Sequence, residues 1–259
     1  MVAILKSMQK FKIALNRIAY QYLGRVTRLS EANSRSYAGG TIERICVFHD
    51  IEENVDTPMS SAECADNLGR MLQIERNCGL NATYNILGAL FTRKVDQIRA
   101  SNSKHSIGFH SFNHDLADLT QLSQCRQVDL RVRGYRPPQS RITSELSDYN
   151  LTKFNFEWFA CGATSLGYAG CNLENGIAKI PIHLDDYSLS LGKPYEQWES
   201  ELLKCARATP FFSFGLHDCY AGKWLEHYRD LLGKLAAIRS FATADEICDC
   251  IFLNGSVSS

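Results

Sequence analysis

From residue 44 onward the chain alternates short apolar runs with longer amphipathic stretches, and this alternation restricts its fold more than any other feature. The runs are RICVFHD (44–50), NATYNILG (81–88), HSIGFH (105–110), VRGYRPP (132–138), NFEWFAC (155–161), IAKIPIHL (177–184) and FFSFGLHD (211–218). Between and after them, residues 61–78, 91–101, 115–130 and 223–238 have helical character. Ser60 or Ser61 caps the first of these, and a last helix starts from Thr243. Strands separated by helices imply a parallel α/β sheet, because parallel neighbours need a crossover to connect them. Pro137 and Pro138 end the fourth strand, since proline donates nothing to a ladder. Seven strands at this spacing suit a sheet that nearly closes into a barrel.

The 259 residues, 45% of them hydrophobic, can bury one sizeable core. With 28 basic and 28 acidic residues, no global charge draws the chain to nucleic acid. No run reaches the roughly eighteen apolar residues that span a bilayer. Residues 1–40 differ from the rest. Lys6, Lys10, Lys12, Arg17, Arg25, Arg28 and Arg35 oppose Glu31 alone, and Ile4, Met8, Phe11, Leu15, Ile18 and Tyr22 recur at helical spacing. The expected organisation is therefore a basic amphipathic helix and linker over 1–40, followed by the barrel domain over 41–259. That helix suits packing on the protein's own surface, pairing with another helix, or peripheral contact of residues 1–30 with an anionic membrane surface. The N-terminus has no apolar h-region, so a cytoplasmic setting is expected, with the ten cysteines as thiols and not as a disulfide framework. Cys248 and Cys250 form a CxC and not the CxxC of a zinc knuckle.

Polar residues with chemical potential collect where strands end: His49, Asp50, Glu52, His110, His114, Arg136, Asp185, Asp186 and His217. In barrels of parallel strands the C-terminal strand ends carry the active site. Asp50 with His110 and His114 offers one carboxylate and two imidazoles, a facial set for a divalent ion, with His114 beginning a helical turn. Zn²⁺ stands first among Zn²⁺, Co²⁺, Fe²⁺ and Ni²⁺, which such ligands do not separate. The HExxH signature is not met, because Ser111 follows His110.

The order of these segments resembles the polysaccharide deacetylases with the NodB homology domain, carbohydrate esterase family 4. VFHDIEE resembles the strand-ending first motif, ATYNIL (82–87) the strand after it, and IGFHSFNH (107–114) the histidine motif. YRPP (135–138) is similar to the arginine motif, LDDY (184–187) to the aspartate motif, GLHD (215–218) to the Leu-His motif, and FATADEI (241–247) to the closing segment. The resemblance spans about residues 44–247. It implies a deformed, incompletely closed (β/α)7 barrel and metal-dependent removal of an N- or O-acetyl group from a saccharide, here an intracellular or lipid-linked one. It implies metal ligands Asp50, His110 and His114. His217 would be the general acid, oriented by Asp186 or Asp185, and Arg136 would pair with the first-motif carboxylates. A backbone N–H at Gln139, where the family has an aromatic residue, would hold the oxyanion.

The family's base position is His49 in this chain. Three arrangements follow: Glu52 as base, His49 as base, or Asp50 as base with Glu52 taking its place on the metal. A catalytically inactive saccharide-binding protein and a hydrolase of another C–N amide bond are the alternative functions. His183 reads as a bystander, and His105 and His227 as exposed. Trp158, Phe159, Trp198 and Trp224 are candidates for core packing or for stacking on a sugar.

Overall fold

The computed structural model describes residues 42–54, 57 and 59–255. The basic helix expected over 1–40, and the membrane contact expected of it, lie outside the described residues. β1 (Ile45–Ile51) is buried along its whole length, as a strand covered on both faces must be. Its alternate residues go opposite ways. Ile45, Val47 and Ile51 join a cluster with Leu68 and Met71 of α1 (Ser61–Cys78). Cys46 and Phe48 join a separate cluster with Trp158, Ile180 and Ile251. The first is the layer between strands and helices, and the second fills the inside of the curled sheet. Each large apolar side chain buried there contributes about 1.5–3 kcal/mol.

The other strands are β2 (Thr83–Ile86), β3 (Ser106–Phe109), β4 (Gly134–Tyr135), β5 (Trp158–Gly162), β6 (Asn172–Glu174), β7 (Ile177–Ile182), β8 (Leu184–Asp185) and β9 (Phe212–His217). The longer helices after α1 are α2 (Phe91–Ser101), α3 (Gln121–Val128), α4 (Tyr195–Ala208), α5 (Tyr228–Ala236) and α6 (Ala244–Gly255). The sheet runs β6-β7-β5-β4-β3-β2-β1-β9-β8, and all its pairings are parallel except β6 with β7. β7 stands next to one end of that order and β8 at the other end, yet only His183 separates them in the chain. Residues 177–182 pair with β5, and Leu184 and Asp185 pair with β9. One extended segment thus runs from β5 on one side of the sheet to a two-residue ladder with β9 on the other. The result is the expected deformed, incompletely closed barrel of seven parallel strands.

Three local features depart from the sequence reading. The expected helix over 115–130 begins only at Gln121, because Asp115 and Asp118 accept the amides of Ala117 and Thr120 and turn the chain before it. The expected helix over 223–238 is helical over Tyr228–Ala236, preceded by 3₁₀ turns. β6 was not expected at all. It forms a hairpin with β7 through Asn175 and Gly176, both at positive φ, and an Asn-Gly pair is the sequence signal for such a turn. All ten cysteines are free thiols. Among the described residues no helix is long and apolar enough to cross a membrane.

Candidate active site and cation centre

The two-residue period of the strands decides which side chains meet at the barrel mouth. On β1 the inward set continues from Cys46 and Phe48 to Asp50, and past the strand end to Glu52. Asp50 lies in register between Asn85 on β2 and His217 on β9. Gly108 on β3 and Gly134 on β4 pair with each other, and two residues beyond each come His110 and Arg136. A Cβ on Gly134 would lie 1.8 Å from Cε2 of Trp158, and one on Gly108 would lie 2.6 Å from Cη2 of the same ring. The indole of Trp158 therefore fills the layer directly beneath the mouth, where only glycine leaves room. Its Nε1 donates to Asp245 at 2.7 Å on α6.

Glu52 is the hub of the mouth. Its Oε1 is 2.7 Å from His110 Nε2, 3.5 Å from His114 Nε2 and 3.7 Å from His217 Nε2. Glu52, His110 and His114 offer three ligand atoms within 4.8 Å of one another. The set gathered most directly around one point therefore contains Glu52, where the sequence reading expected Asp50. His110 is 1% exposed, and neither of its ring nitrogens makes a hydrogen bond of adequate geometry, despite the 2.7 Å approach to Glu52. A buried imidazole left in that condition is costly unless something else takes its lone pair. A divalent cation does so, and two imidazoles with one carboxylate are a donor set that Zn²⁺ accepts. The residues present fit such an ion.

The His110–His114 loop is not the expected helical turn. Ser111 and His114 both lie in the left-handed region, at φ 64° and 66°. Non-glycine residues adopt that region at a cost and hold it where the surroundings dictate it. Here Gln121 Oε1 accepts the amides of Phe112 and Asn113 at 2.7 and 3.1 Å, and Ser111 Oγ accepts that of His114 at 3.0 Å.

Asp50 is engaged differently. Arg136 Nε lies 2.8 and 2.6 Å from its two oxygens, and Asn85 Nδ2 donates to Oδ1 at 2.9 Å. Arg136 reaches the carboxylate through this single nitrogen and not as a two-nitrogen fork. Asp50 also belongs to a second close group with Glu52 and His217, and His217 Nε2 is 3.4 Å from Asp50 Oδ2. Burial pushes the Asp50 carboxyl upward, but Arg136, then His110 and His217, hold it below the usual carboxylate range. Burial likewise opposes the charge on Glu52, and His110 and His217 keep it well below its ordinary value.

Asp186 is the partner of His217. Its Oδ1 lies 2.5 Å from His217 Nδ1, and its Oδ2 accepts the His217 amide at 2.9 Å and Trp224 Nε1 at 2.7 Å. This leaves Nε2 of His217 facing the mouth. Burial opposes protonation of the ring, yet Asp186, followed by Glu52, holds it well above its ordinary value. Asp185 accepts the Tyr187 amide at 3.1 Å instead, and so caps the next segment.

His49 is not in the mouth. Strand parity sends it outward with Ile45 and Val47, where it is fully buried. Its Nε2 lies 2.5 Å from Glu75 Oε1, its ring stacks on Tyr84, and Tyr84 and Tyr228 both donate to Glu75, at 2.5 and 2.6 Å. His49 is remote from the reacting position by geometry. Replacing it tests this: His49→Gln should leave ion stoichiometry and any acetate release near wild type, while urea unfolding shows a loss of about 1–3 kcal/mol from the weakened Glu75 network.

Among the other sequence candidates, His105 is buried and not exposed as expected, because its Nδ1 accepts the Ala82 amide and its ring packs on Tyr84. His227 is exposed. His183 is satisfied by Ala169 O and the Ser213 amide. Trp158, Phe159, Trp198 and Trp224 are all core residues, 0–1% exposed. Gln139 is exposed and left-handed, at φ 54°. The sequence reading missed Asn85, Asp218, Glu75 and the Trp224 bond to Asp186. Only Asn85 had a local signal, since the alternation from Thr83 turns it inward.

No family model matches the sequence, and no curated protein matches it either. Solved structures do. A protein from Mycobacterium smegmatis assigned as a polysaccharide deacetylase superposes with a TM-score of 0.68 at 16% identity, covering 85% of this chain and 93% of that one. The chain has the polysaccharide deacetylase fold. A peptidoglycan deacetylase from Bacillus subtilis matches at a TM-score of 0.55 and 12% identity, over 83% of this chain and 94% of that one. A CE4 family pseudoenzyme from Bacillus anthracis matches at 0.57 and 13%, over 89% and 80%. In a barrel of this fold the candidate cation ligands Glu52, His110 and His114, the Asp50–Arg136 pair and the Asp186–His217 dyad share one mouth.

Proposed function

We propose that the protein is a divalent-cation-dependent deacetylase that removes an N-acetyl or O-acetyl group from a saccharide. The observation that carries this reading is the division of labour at the mouth of a polysaccharide deacetylase fold. Three ligand atoms face one point, and a separate carboxylate and a separate imidazole face the same space, each oriented from behind. Glu52, His110 and His114 would hold the ion. When bound, a divalent ion polarises a carbonyl oxygen and makes water nucleophilic near neutral pH.

The chain's own groups move the protons. Asp50 is the acceptor: Arg136 and Asn85 hold its carboxylate, and it takes the proton of the attacking water. His217 Nε2 is the donor, delivering a proton to the leaving nitrogen or oxygen, while Asp186 on Nδ1 fixes the ring and its tautomer. Water and the acetyl compound thus become acetate and an amine or alcohol. This arrangement corresponds to the third of the sequence alternatives, in which Asp50 is the base and Glu52 a ligand.

Metal removal tests the reading directly. Protein treated with chelator should release no acetate from N-acetylated oligosaccharides, and Zn²⁺ or Co²⁺ should restore release. A pseudoenzyme shares this fold, so binding without turnover is the competing outcome. An ion-loaded protein that binds such oligosaccharides yet yields no acetate from any of them would sink the enzymatic reading.

A further inference from the structure

The strand ladder between β1 and β9 ends at the Asp50–His217 pair. The amides of Glu52 and Glu53 therefore leave the sheet without ladder partners, although both residues are 5% exposed. Buried N–H groups need acceptors, and both find the same one. Asp218 Oδ1 accepts the Glu52 amide at 3.1 Å, and Oδ2 accepts the Glu53 amide at 3.2 Å. Asp218 is completely buried, and Asn67 of α1 donates to its main-chain oxygen at 3.1 Å. Glu53 sits in the left-handed region at φ 56°, held also by Lys94 Nζ at 3.0 Å from its carboxylate.

Among the described residues no lysine or arginine pairs with Asp218. A fully buried carboxylate without such a partner is expensive, and one carbonyl oxygen would have satisfied one amide. What the carboxylate adds is two acceptors in a rigid fork. They pin two successive peptide units directly at the residue whose side chain is the hub of the mouth. The preceding residue is His217, whose Nε2 stands 3.7 Å from Glu52 Oε1. One dipeptide therefore supplies a group facing the hub and anchors the backbone that carries the hub.

We infer that Asp218 is a positioning residue for the cation: by clamping the Glu52 and Glu53 amides it holds the Glu52 carboxylate in ligand geometry against His110 and His114, and so sets the affinity for the ion. The inference rests on the ion site of the proposed function and adds to it a residue that touches neither ion nor substrate. Partners of this kind typically govern metal affinity by about 10–100-fold.

The test is a Zn²⁺ competition titration against a chromophoric chelator on the full chain. It compares wild type, Asp218→Asn and, as a control for general loss of stability, Glu75→Gln, together with thermal unfolding of each ion-free form. Asparagine keeps the shape but turns an NH₂ toward one amide. The expected result is a Kd for Zn²⁺ raised about 10–100-fold in Asp218→Asn. Glu75→Gln should stay near the wild-type Kd even where its ion-free form unfolds at least as early. An unchanged Kd in Asp218→Asn, or an equal rise in both variants, overturns the inference and leaves the proposed function standing. Wild type that binds no Zn²⁺ overturns the proposed function, and the inference with it. If Asp218→Asn does not fold, Asp218→Ser, which buries less polar surface, is read by the same criteria.

Discussion

Asp50→Asn is expected to lower acetate release by about 10²–10⁴-fold, the usual worth of a general base, while the protein still binds its ion. The reason is the separation of tasks at the end of β1. Both oxygens of Asp50 lie against Arg136 Nε, and Oδ1 also accepts from Asn85. Glu52 faces His110 and His114. An amide at position 50 cannot accept a proton, and one of its atoms would present N–H to donors, but the three ligand atoms are untouched. Glu52→Gln should do the reverse and weaken the ion first. Ion content and acetate release measured together on both variants separate this arrangement from the sequence expectation that Asp50 is the ligand. If Asp50→Asn empties the site of ion while Glu52→Gln does not, the two roles are exchanged.

The second large effect is on folding. Gly134→Ala places a methyl group where the Trp158 indole already stands, 1.8 Å from Cε2 and 2.2 Å from Cδ2. Neither side can yield cheaply. Gly134 is fixed in register between Gly108 and Trp158, and the indole is fully buried and tied to Asp245. Overpacking in a core commonly costs 1–3 kcal/mol, and an overlap this deep should cost about 3 kcal/mol or more. The expected outcome is little soluble protein, or a large fall in the urea midpoint. Trp158→Phe should be destabilising alone, through the cavity it opens. In the double variant the two losses should add to less than their sum, because the smaller ring vacates part of the space. Strictly additive losses would show that the indole is not what excludes the methyl.

Much of the fold was legible from residues 44–218. Apolar runs of strand length separated by helical stretches require crossovers and hence a parallel sheet, and the polar residues at the run ends require a common rim. The near-closure followed from the number of strands. How it is achieved did not, because nothing local marks His183 as the point where one extended segment leaves β5 and joins β9. That choice depends on two edges meeting after the whole sheet has curled.

The sequence by itself determined that Asp50, Glu52, His110, His114, Arg136, Asp186 and His217 converge, since each stands at or beyond the C-terminal end of a strand or in the loop that follows. Strand parity, also local, sends His49 to the opposite face from Asp50, a signal that the expectation of His49 as a rim residue and candidate base did not use. Tertiary structure alone decided the pairing: Glu52 with the histidines, Asp50 with Arg136 and Asn85, Asp186 and not Asp185 with His217. These choices are made between atoms that different strands and loops bring to the mouth: Glu52 lies 2.7 Å from His110 where Asp50 lies 3.6 Å from it. Order along the chain can say which groups reach the mouth, but only the register and curl of the sheet say which of them touch.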